Sequence, residues 1–464
     1  MGKAPTGTGQ GAEHVHWVLV LGDFGRSPRM QYHTLSLSQQ PSTDVHVVAY
    51  GGSAPLLELR EAANVHIHLV PEPPAFLRRL PRILFLVCKV LQQLAALLWM
   101  MLVTLPSPGH ILLQNPPAIP TMVVCWLASR RHGAKLVIDW HNYGYTILAL
   151  TQGPRHPLVR MARSYERFWG RKGQGHFCVT KAMKDDLHAG WGIEATVLYD
   201  RPPAFFQRTP LPTIHTLFRK LGPALEQPSS RDFLTARSTA EAASRAQEAA
   251  ELTAVTMKRP GQAVSQRVDR PAVVVSSTSW TPDEDFSILL DAAVRYDELA
   301  SAGPGPGSAA LPELLLLITG KGPQKEMYLA KIAAMSFSKV AIRALWLESA
   351  DYPLLLGAAD VGVCLHASSS GLDLPMKVVD MYGSGLPVCA LSYSCIGELV
   401  SDGETGLLFS SAEQLAQQLA GLLAGFPAAP SAQLQALQAS VAAKEQGLRW
   451  NENWKRVAAP VLGY

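Results

Sequence analysis

Short apolar runs recur along this chain at intervals too long for hairpins. In the first half they read VHWVLVLG (15–22), VHVVAYGG (45–52), HILLQNP (110–116), KLVIDWHN (135–142), GHFCVTKA (175–182) and ATVLYDRP (195–202). Between them lie longer helix-compatible stretches such as PLVRMARSYERFWGRKG (157–173). Antiparallel strands can be joined by a tight turn, whereas parallel strands need a crossover of roughly a dozen residues or more, usually a helix. The alternation therefore dictates βαβ units and a parallel sheet. A second series follows: PAVVVSSTSW (271–280), ELLLLITGKG (313–322), AIRALWLE (341–348), ADVGVCLHAS (359–368) and GLPVCALS (385–392).

Two such series in 464 residues, 48% of them hydrophobic, are enough for two cores. The economical architecture is α/β, two Rossmann-like domains with parallel sheets facing each other across a cleft. The expected layout is an N-terminal tail (1–14), a first domain (15–207), a linker or mobile insertion (208–268), a second domain (269–445) and a C-terminal segment (446–464). The insertion is assigned because 222–268 is rich in Ala, Ser, Glu, Gln and Arg and lacks an apolar period. In sheets of this kind ligands bind outside the carboxyl ends of the strands.

The loops at those ends in the second domain carry chemistry. SSSGLDLPMKVVDMYGSGLPV (368–388) reads as a polar loop, a short helix opened by Pro375, and a turn into the next strand. A helix N-terminus facing Ser368, Ser369, Ser370 and Gly371 is suited to an anion. Ser277 and Thr278, the TGKGP turn with Lys321 and Gly322, and Trp346-Leu347 complete a plausible diphosphate cradle. Asp373, Lys377 and Asp380 share one helix face. Alone they read as a salt-bridge ladder; beside a phosphate loop, carboxylates that accept from sugar hydroxyls are the better reading. The stretch would then hold a nucleotide sugar.

Charge is uneven. Through Arg201 there are 20 Lys+Arg against 12 Asp+Glu, a balance of +8, leaving 21 against 25, or −4, for the rest. A basic first half suits an anionic partner, although solvated surface charge accounts for it equally. RILFLVCKVLQQLAALLWMMLVTL (82–105) is long enough to cross a bilayer but contains Lys89, Gln92 and Gln93, and follows Arg78 and Arg79. It fits a helix lying in a membrane interface better than a span, the alternative being a buried helix covering a sheet.

Six scattered cysteines have no metal-type spacing and read as reduced core thiols, so no metal site is expected. The first residues hold no long apolar leader; MGKAPT fits a short myristoylation pattern. No G-x-G-x-x-G follows the first strand and no G-x-x-x-x-G-K-[ST] occurs, which removes the usual signatures of dinucleotide oxidoreductases and P-loop NTPases. Asp283-Glu284-Asp285 has D-x-D form, but a helix-starting acidic turn is the simpler account.

The Gly–Ser loop followed by P-x-K-x-x-D-M-x-G-x-G-x-P-V resembles a two-domain glycosyltransferase of the GT-B type. LGDFGRSPRMQYH (21–33), LQNPP (113–117), KLVIDWHNYGY (135–145), SSTSWTPDEDFSILL (276–290), ITGKGP (318–323) and LESADYPLLLGAADVGVCLHASSSGLDLPMKVVDM (347–381) resemble the chitobiosyldiphosphodolichol β-mannosyltransferase family. The resemblance covers residues 15–464 and is weakest over 222–268. It implies transfer of mannose from GDP-mannose to the terminal GlcNAc of chitobiosyl diphospho-dolichol, β1,4 and inverting. This is the first mannosylation of the lipid-linked oligosaccharide, at the cytosolic face of the endoplasmic reticulum membrane, beside other mannosyltransferases of the pathway and without nucleic acid. No tightly bound cofactor is implied, and a divalent cation stays open.

Inversion needs one general base on the acceptor and stabilisation of the departing diphosphate. Asp23 is the first choice for the base, with Asp139 and His141 the other catalytic candidates. Gly25, Arg26, Arg29, Asn115 and Tyr143 fall to the acceptor, and Trp346 and Leu347 to the guanine. Where wider GT-B relatives show Glu-x₇-Glu this chain has Leu372, flanked by Asp373, and Asp380, and their diphosphate Arg and Lys fall on Ser279 and Glu284, leaving Lys321 and Lys377 as cations. The family usually begins with a transmembrane anchor, so membrane attachment is expected to rest on 81–105. LRWNENWKRVAAPVL (448–462) reads as a helix returning to brace the first domain. A non-catalytic scaffold and a two-domain epimerase are the rival classes; the former would lose the cleft residues, and the latter needs no lipid-facing helix.

Overall fold

The computed structural model describes residues 14–72, 74–226, 234, 250–281, 284–305, 309–445 and 449–464. Residues 1–13 of the expected N-terminal tail, residues 227–233 and 235–249 of the Ala- and Ser-rich stretch, and Asp283 lie outside them. The chain divides into two compact units, Met1–Asp200 with Asn451–Tyr464, and Arg201–Trp450.

The first unit is built on a seven-stranded sheet of β1 (His14–Asp23), β2 (Thr43–Tyr50), β3 (Val65–Leu69), β4 (His110–Asn115), β5 (Lys135–Trp140), β6 (Gly175–Cys178) and β7 (Thr196–Val197). Its order is β3-β2-β1-β4-β5-β6-β7, every pair parallel. Strands in such a sheet are covered on both faces and read as continuous apolar runs. Trp17, Val18, Leu19 and Val20 of β1 and Ile111, Leu112 and Leu113 of β4 are accordingly buried. The order reverses between β1 and β4, which puts the switch point at the loops after Asp23 and Asn115.

The last residues belong to this unit. Trp454, on the helix Trp450–Val457, is fully buried and donates its indole N–H to His33 Nδ1 at 3.0 Å. Asn453 donates to the Tyr199 carbonyl (2.9 Å), Lys135 Nζ to the Val461 carbonyl (2.7 Å), and the Tyr464 hydroxyl bonds Thr43 and His16 (2.6 and 2.8 Å).

The second unit carries the six-stranded parallel sheet β13-β12-β11-β14-β15-β16, where β11 is Ala272–Ser277, β12 Leu314–Thr319, β13 Val340–Leu345, β14 Val361–Cys364, β15 Val388–Leu391 and β16 Gly406–Phe409. Successive residues of β11 feed opposite cores. Val273 and Val275 join Leu315 and Leu317 in one cluster, and Ala272 and Val274 join Leu314 and Leu316 in the other. The switch point lies between β11 and β14.

The boundary expected at 207/208 falls at Asp200/Arg201, and the expected linker is in part a piece of the second core. Leu211–Leu225 is a helix whose Ile214, Leu217, Phe218, Leu221 and Leu225 pack into the cluster holding Val273 and Leu345. The spacing is helical, but Pro212, Gly222 and Pro223 mask it. Pro212 stands in the first turn, where its missing N–H costs nothing. β8 (Glu251–Leu252), β9 (Thr256–Lys258) and β10 (Ser265–Gln266) form a small antiparallel sheet, and Val255 reaches the same cluster.

Because Trp454 is fully buried, Trp454→Ala is expected to cost about 3–5 kcal/mol. In urea, fluorescence of the first unit should show the loss while the second keeps its transition; an unchanged midpoint for both would refute the role given to the C-terminal segment.

Candidate active site

In the first unit a buried charge cluster sits at the carboxyl ends of the central strands. Pro28–Ser38 starts just after β1 with Pro at its first turn, and turns Arg29 and His33, one helical turn apart, toward β5. Arg29 is 3% exposed, and its guanidinium grips Asp139 with two bonds of 2.8 Å. The two N–H groups of its Nη1 go to Asp200 (2.8 Å) and the Leu198 carbonyl (2.8 Å). Burial by itself would raise the Asp139 pKa, but Arg29, His141 and His33 outweigh it and hold the carboxyl well below the ordinary range. Burial likewise favours a neutral Arg29, yet Asp139 and Asp200 raise its pKa.

The imidazoles around Asp139 are ordered by the same pair. The indole of Trp454 can only donate, so His33 Nδ1 accepts and its proton lies on Nε2, 3.3 Å from Asp139. Burial lowers the His33 pKa. His141 Nε2 lies 2.9 Å from Asp139 Oδ2. Since that carboxylate only accepts, His141 donates from Nε2, leaving Nδ1 as its remaining polar atom, on a side chain 21% exposed.

These positions correct four expectations. Arg29, expected at the acceptor diphosphate, is sealed in the cluster, and Asp139, expected to be catalytic, is fully buried with His141 on its carboxylate. Asn115 is fully buried, its amide on the Asn142 carbonyl (3.1 Å) and Glu166 (3.3 Å). Tyr143 is 1% exposed with its hydroxyl on Asp186 (2.7 Å), and it stacks on Tyr145. The last two support the loop after β5 instead of offering surface to a sugar.

Asp23 and its neighbours remain at the surface. The Asp23 carboxylate accepts from Gly25 N–H (3.0 Å) and Ser53 N–H (2.9 Å) and lies 3.4 Å from Arg26. Gly25 is required by close approach: a Cβ there would stand 2.3 Å from the Ser53 carbonyl oxygen. Arg26 is exposed and reaches the Ser53 hydroxyl at 3.1 Å.

In the second unit the expected loops do gather after β11, β12, β13 and β14. Gly322 lets the TGKGP turn lie on the loop after β11, where a Cβ would meet the Ser279 carbonyl at 1.7 Å. Thr319 donates to Ser277 (3.1 Å), whose hydroxyl also meets Tyr352 (3.1 Å). Lys321 holds its ammonium 3.5 Å from the ring centre of Trp346, itself 60% exposed. Leu347 packs inward against the core. The Ser368 hydroxyl donates to Asp373 and accepts from Gly371 N–H (2.8 Å), closing the Ser368–Ser369–Ser370–Gly371 loop ahead of the helix Met376–Gly383, whose N-terminus no side chain caps. Asp380, half-buried on that helix, acts electrostatically on Tyr352.

Sequence reasoning missed two groups here. Glu284, read as part of an acidic turn, points inward: it is 2% exposed and takes Thr278 Oγ1 (2.5 Å), Ser279 N–H (2.9 Å) and the Lys377 ammonium. Burial would raise its pKa, yet Lys377 and these donors pull it below the ordinary value. Asp285 does serve the helix start, bonding Ser287. His366, after β14, lies 3.2 Å from Asp373. The Lys377 pairing is the available signal for Glu284, but ninety-three positions separate them.

An apolar surface also belongs to the first unit. Leu84–Thr104 is long and apolar enough to cross a membrane, and 17% of it is buried. Gln93, Leu97 and Met101 form its buried stripe; Val87, Leu91, Ala95, Trp99 and Val103, likewise four apart, are exposed. Pro157–Gly170 exposes Leu158, Met161 and Phe168 beside Arg160, Arg163 and Arg167. The helix Thr121–His132 packs against both.

Two parallel α/β sheets of this order, with a glycine- and hydroxyl-rich cradle at the carboxyl ends of the second, define a glycosyltransferase of the GT-B type. Solved structures with this fold include Anabaena Alr3699/HepE in complex with UDP and glucose (TM-score 0.61, 15% identity, 97% of this chain and 99% of that one) and WaaG, a glycosyltransferase involved in lipopolysaccharide biosynthesis (TM-score 0.58, 13% identity, 97% and 100%). Residues 37–199 match the glycosyl transferase 4-like domain and residues 273–425 the glycosyl transferases group 1 family. The chain is 45% identical over 455 residues to human chitobiosyldiphosphodolichol beta-mannosyltransferase, spanning 98% of this chain and 93% of the relative. It is 48% identical over 458 residues to the Arabidopsis thaliana protein named UDP-glycosyltransferase TURAN, 96% of each chain. The protein belongs to the chitobiosyldiphosphodolichol β-mannosyltransferase family.

Removing one partner of a buried ion pair costs about 3–5 kcal/mol, so Asp139→Asn should lower the urea midpoint of the first unit accordingly. The carboxylate's folded pKa is depressed, so its contribution is complete above the unfolded value of about 3.9 and is lost as pH falls through the folded value. The Asn variant's deficit should therefore be full at pH 7 and shrink only in strong acid; a deficit independent of pH down to acid unfolding would refute this assignment.

Proposed function

We propose that this enzyme transfers mannose from GDP-mannose to the terminal GlcNAc of chitobiosyl diphospho-dolichol, forming a β1,4 linkage with inversion. The observation that carries the reading is the 45% identity to the human β-mannosyltransferase across nearly the whole of both chains. Inversion is a single displacement. A base takes the proton of the acceptor hydroxyl as its oxygen attacks the anomeric carbon of mannose, and GDP leaves with the bonding electrons.

Asp23 serves as the base, since its carboxylate stays 23% exposed and retains acceptor capacity beyond the N–H groups of Gly25 and Ser53. His141, oriented by Asp139, contacts the acceptor, and Arg26 meets its diphosphate. On the donor side, Lys321, Lys377, Gly322 and Ser368 to Gly371 surround the diphosphate, Ser277 and Thr278 line the same cradle, and Asp373 and Asp380 accept from mannose hydroxyls. Trp346, exposed at the same loop, covers the guanine. Lys321 already lies on the Trp346 face, which couples phosphate and base recognition.

The lipid acceptor explains the exposed apolar stripe. Buried along Gln93–Leu97–Met101 and bare along Val87–Trp99–Val103, the helix is docked by one face and lies in the interface of the endoplasmic reticulum membrane rather than crossing it. Arg160, Arg163 and Arg167 on the neighbouring amphipathic helix suit anionic headgroups on the cytosolic side.

The test is transfer by the purified full chain to a short-lipid chitobiosyl diphosphate, with GDP-mannose, UDP-GlcNAc and UDP-glucose compared. One hexose added from GDP-mannose alone, and removable by β-mannosidase, is the expected result. Transfer from a UDP-sugar would assign the donor class in the Arabidopsis relative's name, and no transfer from any donor would favour a scaffold. Asp23→Asn should lose about 10²-fold or more in kcat with an unchanged circular dichroism spectrum, whereas His141→Gln should act on acceptor KM; the reverse pattern would make His141 the base. Leu91→Glu with Trp99→Glu should abolish flotation with phosphatidylserine vesicles while transfer to a detergent-dispersed acceptor persists; flotation like the wild type would refute the membrane face.

A further inference from the structure

The edge of the first sheet carries a second polar cluster, away from the loops that the reaction uses. Asp44 and His46 lie two apart on β2, and His66 and His68 two apart on the edge strand β3, so each pair points to one face. The register sets His46 beside His66 and Val48 beside His68, which places all four side chains together on that face. One ligand atom each from Asp44, His46 and His66 lies within 4.8 Å of the other two. His66 Nε2 is 2.9 Å from Asp44 Oδ1 and His46 Nε2 is 3.7 Å from Asp44 Oδ2.

His46 is the telling residue. It is 8% exposed, and its Nε2 is buried without a hydrogen-bond partner although it points at the Asp44 carboxylate. Its other nitrogen is bonded to His68 Nε2 at 2.9 Å. In the tautomer with the proton on Nδ1, His46 donates to His68 and its Nε2 lone pair faces Asp44 and His66. That is how a metal-ligating imidazole is ordinarily fixed, its far N–H held by an outer partner.

We propose that Asp44, His46 and His66 bind a divalent zinc-type ion, with His68 orienting His46 and water in the fourth position. Two imidazole nitrogens and one carboxylate oxygen form a borderline donor set that suits Zn²⁺ and disfavours Mg²⁺, which demands oxygen ligands. The ligands stand near the amino ends of their strands, Asp44 and His66 being the second residues of β2 and β3, opposite the loops where a GT-B sheet binds substrates. The ion therefore acts as a clasp, fastening the outermost strand to its neighbour, and takes no part in transfer.

The test uses the full chain stripped with chelator, loaded with Zn²⁺ and passed through gel filtration, with bound zinc measured by mass spectrometry and the thermal midpoint recorded. The wild type should retain one equivalent and melt higher with zinc; Asp44→Asn and His66→Gln should retain none and gain nothing. His66 is on a half-exposed edge strand, so its variant keeps the fold, checked by circular dichroism. His68→Ala should weaken zinc about 10–100-fold, and His188→Gln, a surface histidine elsewhere, should change nothing. Retention of no zinc by the wild type, or equal retention by Asp44→Asn and His66→Gln, overturns the proposal.

Discussion

The bidentate bond between Arg29 and Asp139 is the constraint on which the first unit is organised. A planar guanidinium and a carboxylate, both sealed from water, must satisfy each other with well-aligned hydrogen bonds, because either alone would be a costly buried charge. Meeting that demand fixes the first helix against the end of β5. It also draws in Asp200 and the Leu198 carbonyl from the segment just after β7, and His33, through which Trp454 joins. Four separate stretches of sequence are thus held in one register, and His141 inherits its orientation from the same carboxylate. A comparable bond recurs in the second unit, where Arg270 grips Asp360 at 2.8 and 2.9 Å while Asp360 also takes the Val273 N–H.

The cradle of the second unit is arranged differently. Its loops are shaped by the near-contact of backbone with backbone, at Gly322 against Ser279, and by short local bonds such as Ser368 to Gly371 N–H. Glu284 and Lys377 form a long-range ion pair, and it is accessible on the lysine side. A cradle built this way keeps N–H groups and an ammonium available to an anion, whereas the Arg29 cluster has exhausted its donors on protein.

Both parallel sheets were legible because each strand is a short continuous apolar run, a local property. The glycine and serine turns were legible for the same reason, since Gly322 and Gly371 announce their backbone needs by residue type. What sequence reading mistook depends on burial. Arg29, Asn115, Asp139 and Tyr143 have the composition of a site, yet polar residues at strand ends are equally the means by which a loop is locked, and only their partners, mostly from distant parts of the chain, tell the two apart. The helix Leu211–Leu225 was obscured by Pro212, harmless in the first turn, and by Gly222 and Pro223 near its far end. The histidines of β2 and β3 each sit in an ordinary strand, and their convergence is a matter of register.

The return of the chain to its beginning bears on biosynthesis. Domains generally fold as units, the amino-terminal one first, as they leave the ribosome. Here the first unit contains Trp454 in its core, so it lacks a buried aromatic until the last residues have been made. The second unit, translated later, has all of its own strands in hand sooner. Completion of the first unit is thereby tied to synthesis of residues 451–464, and a nascent chain that has not reached them carries an unfinished first unit, a species that chaperones would be left to hold.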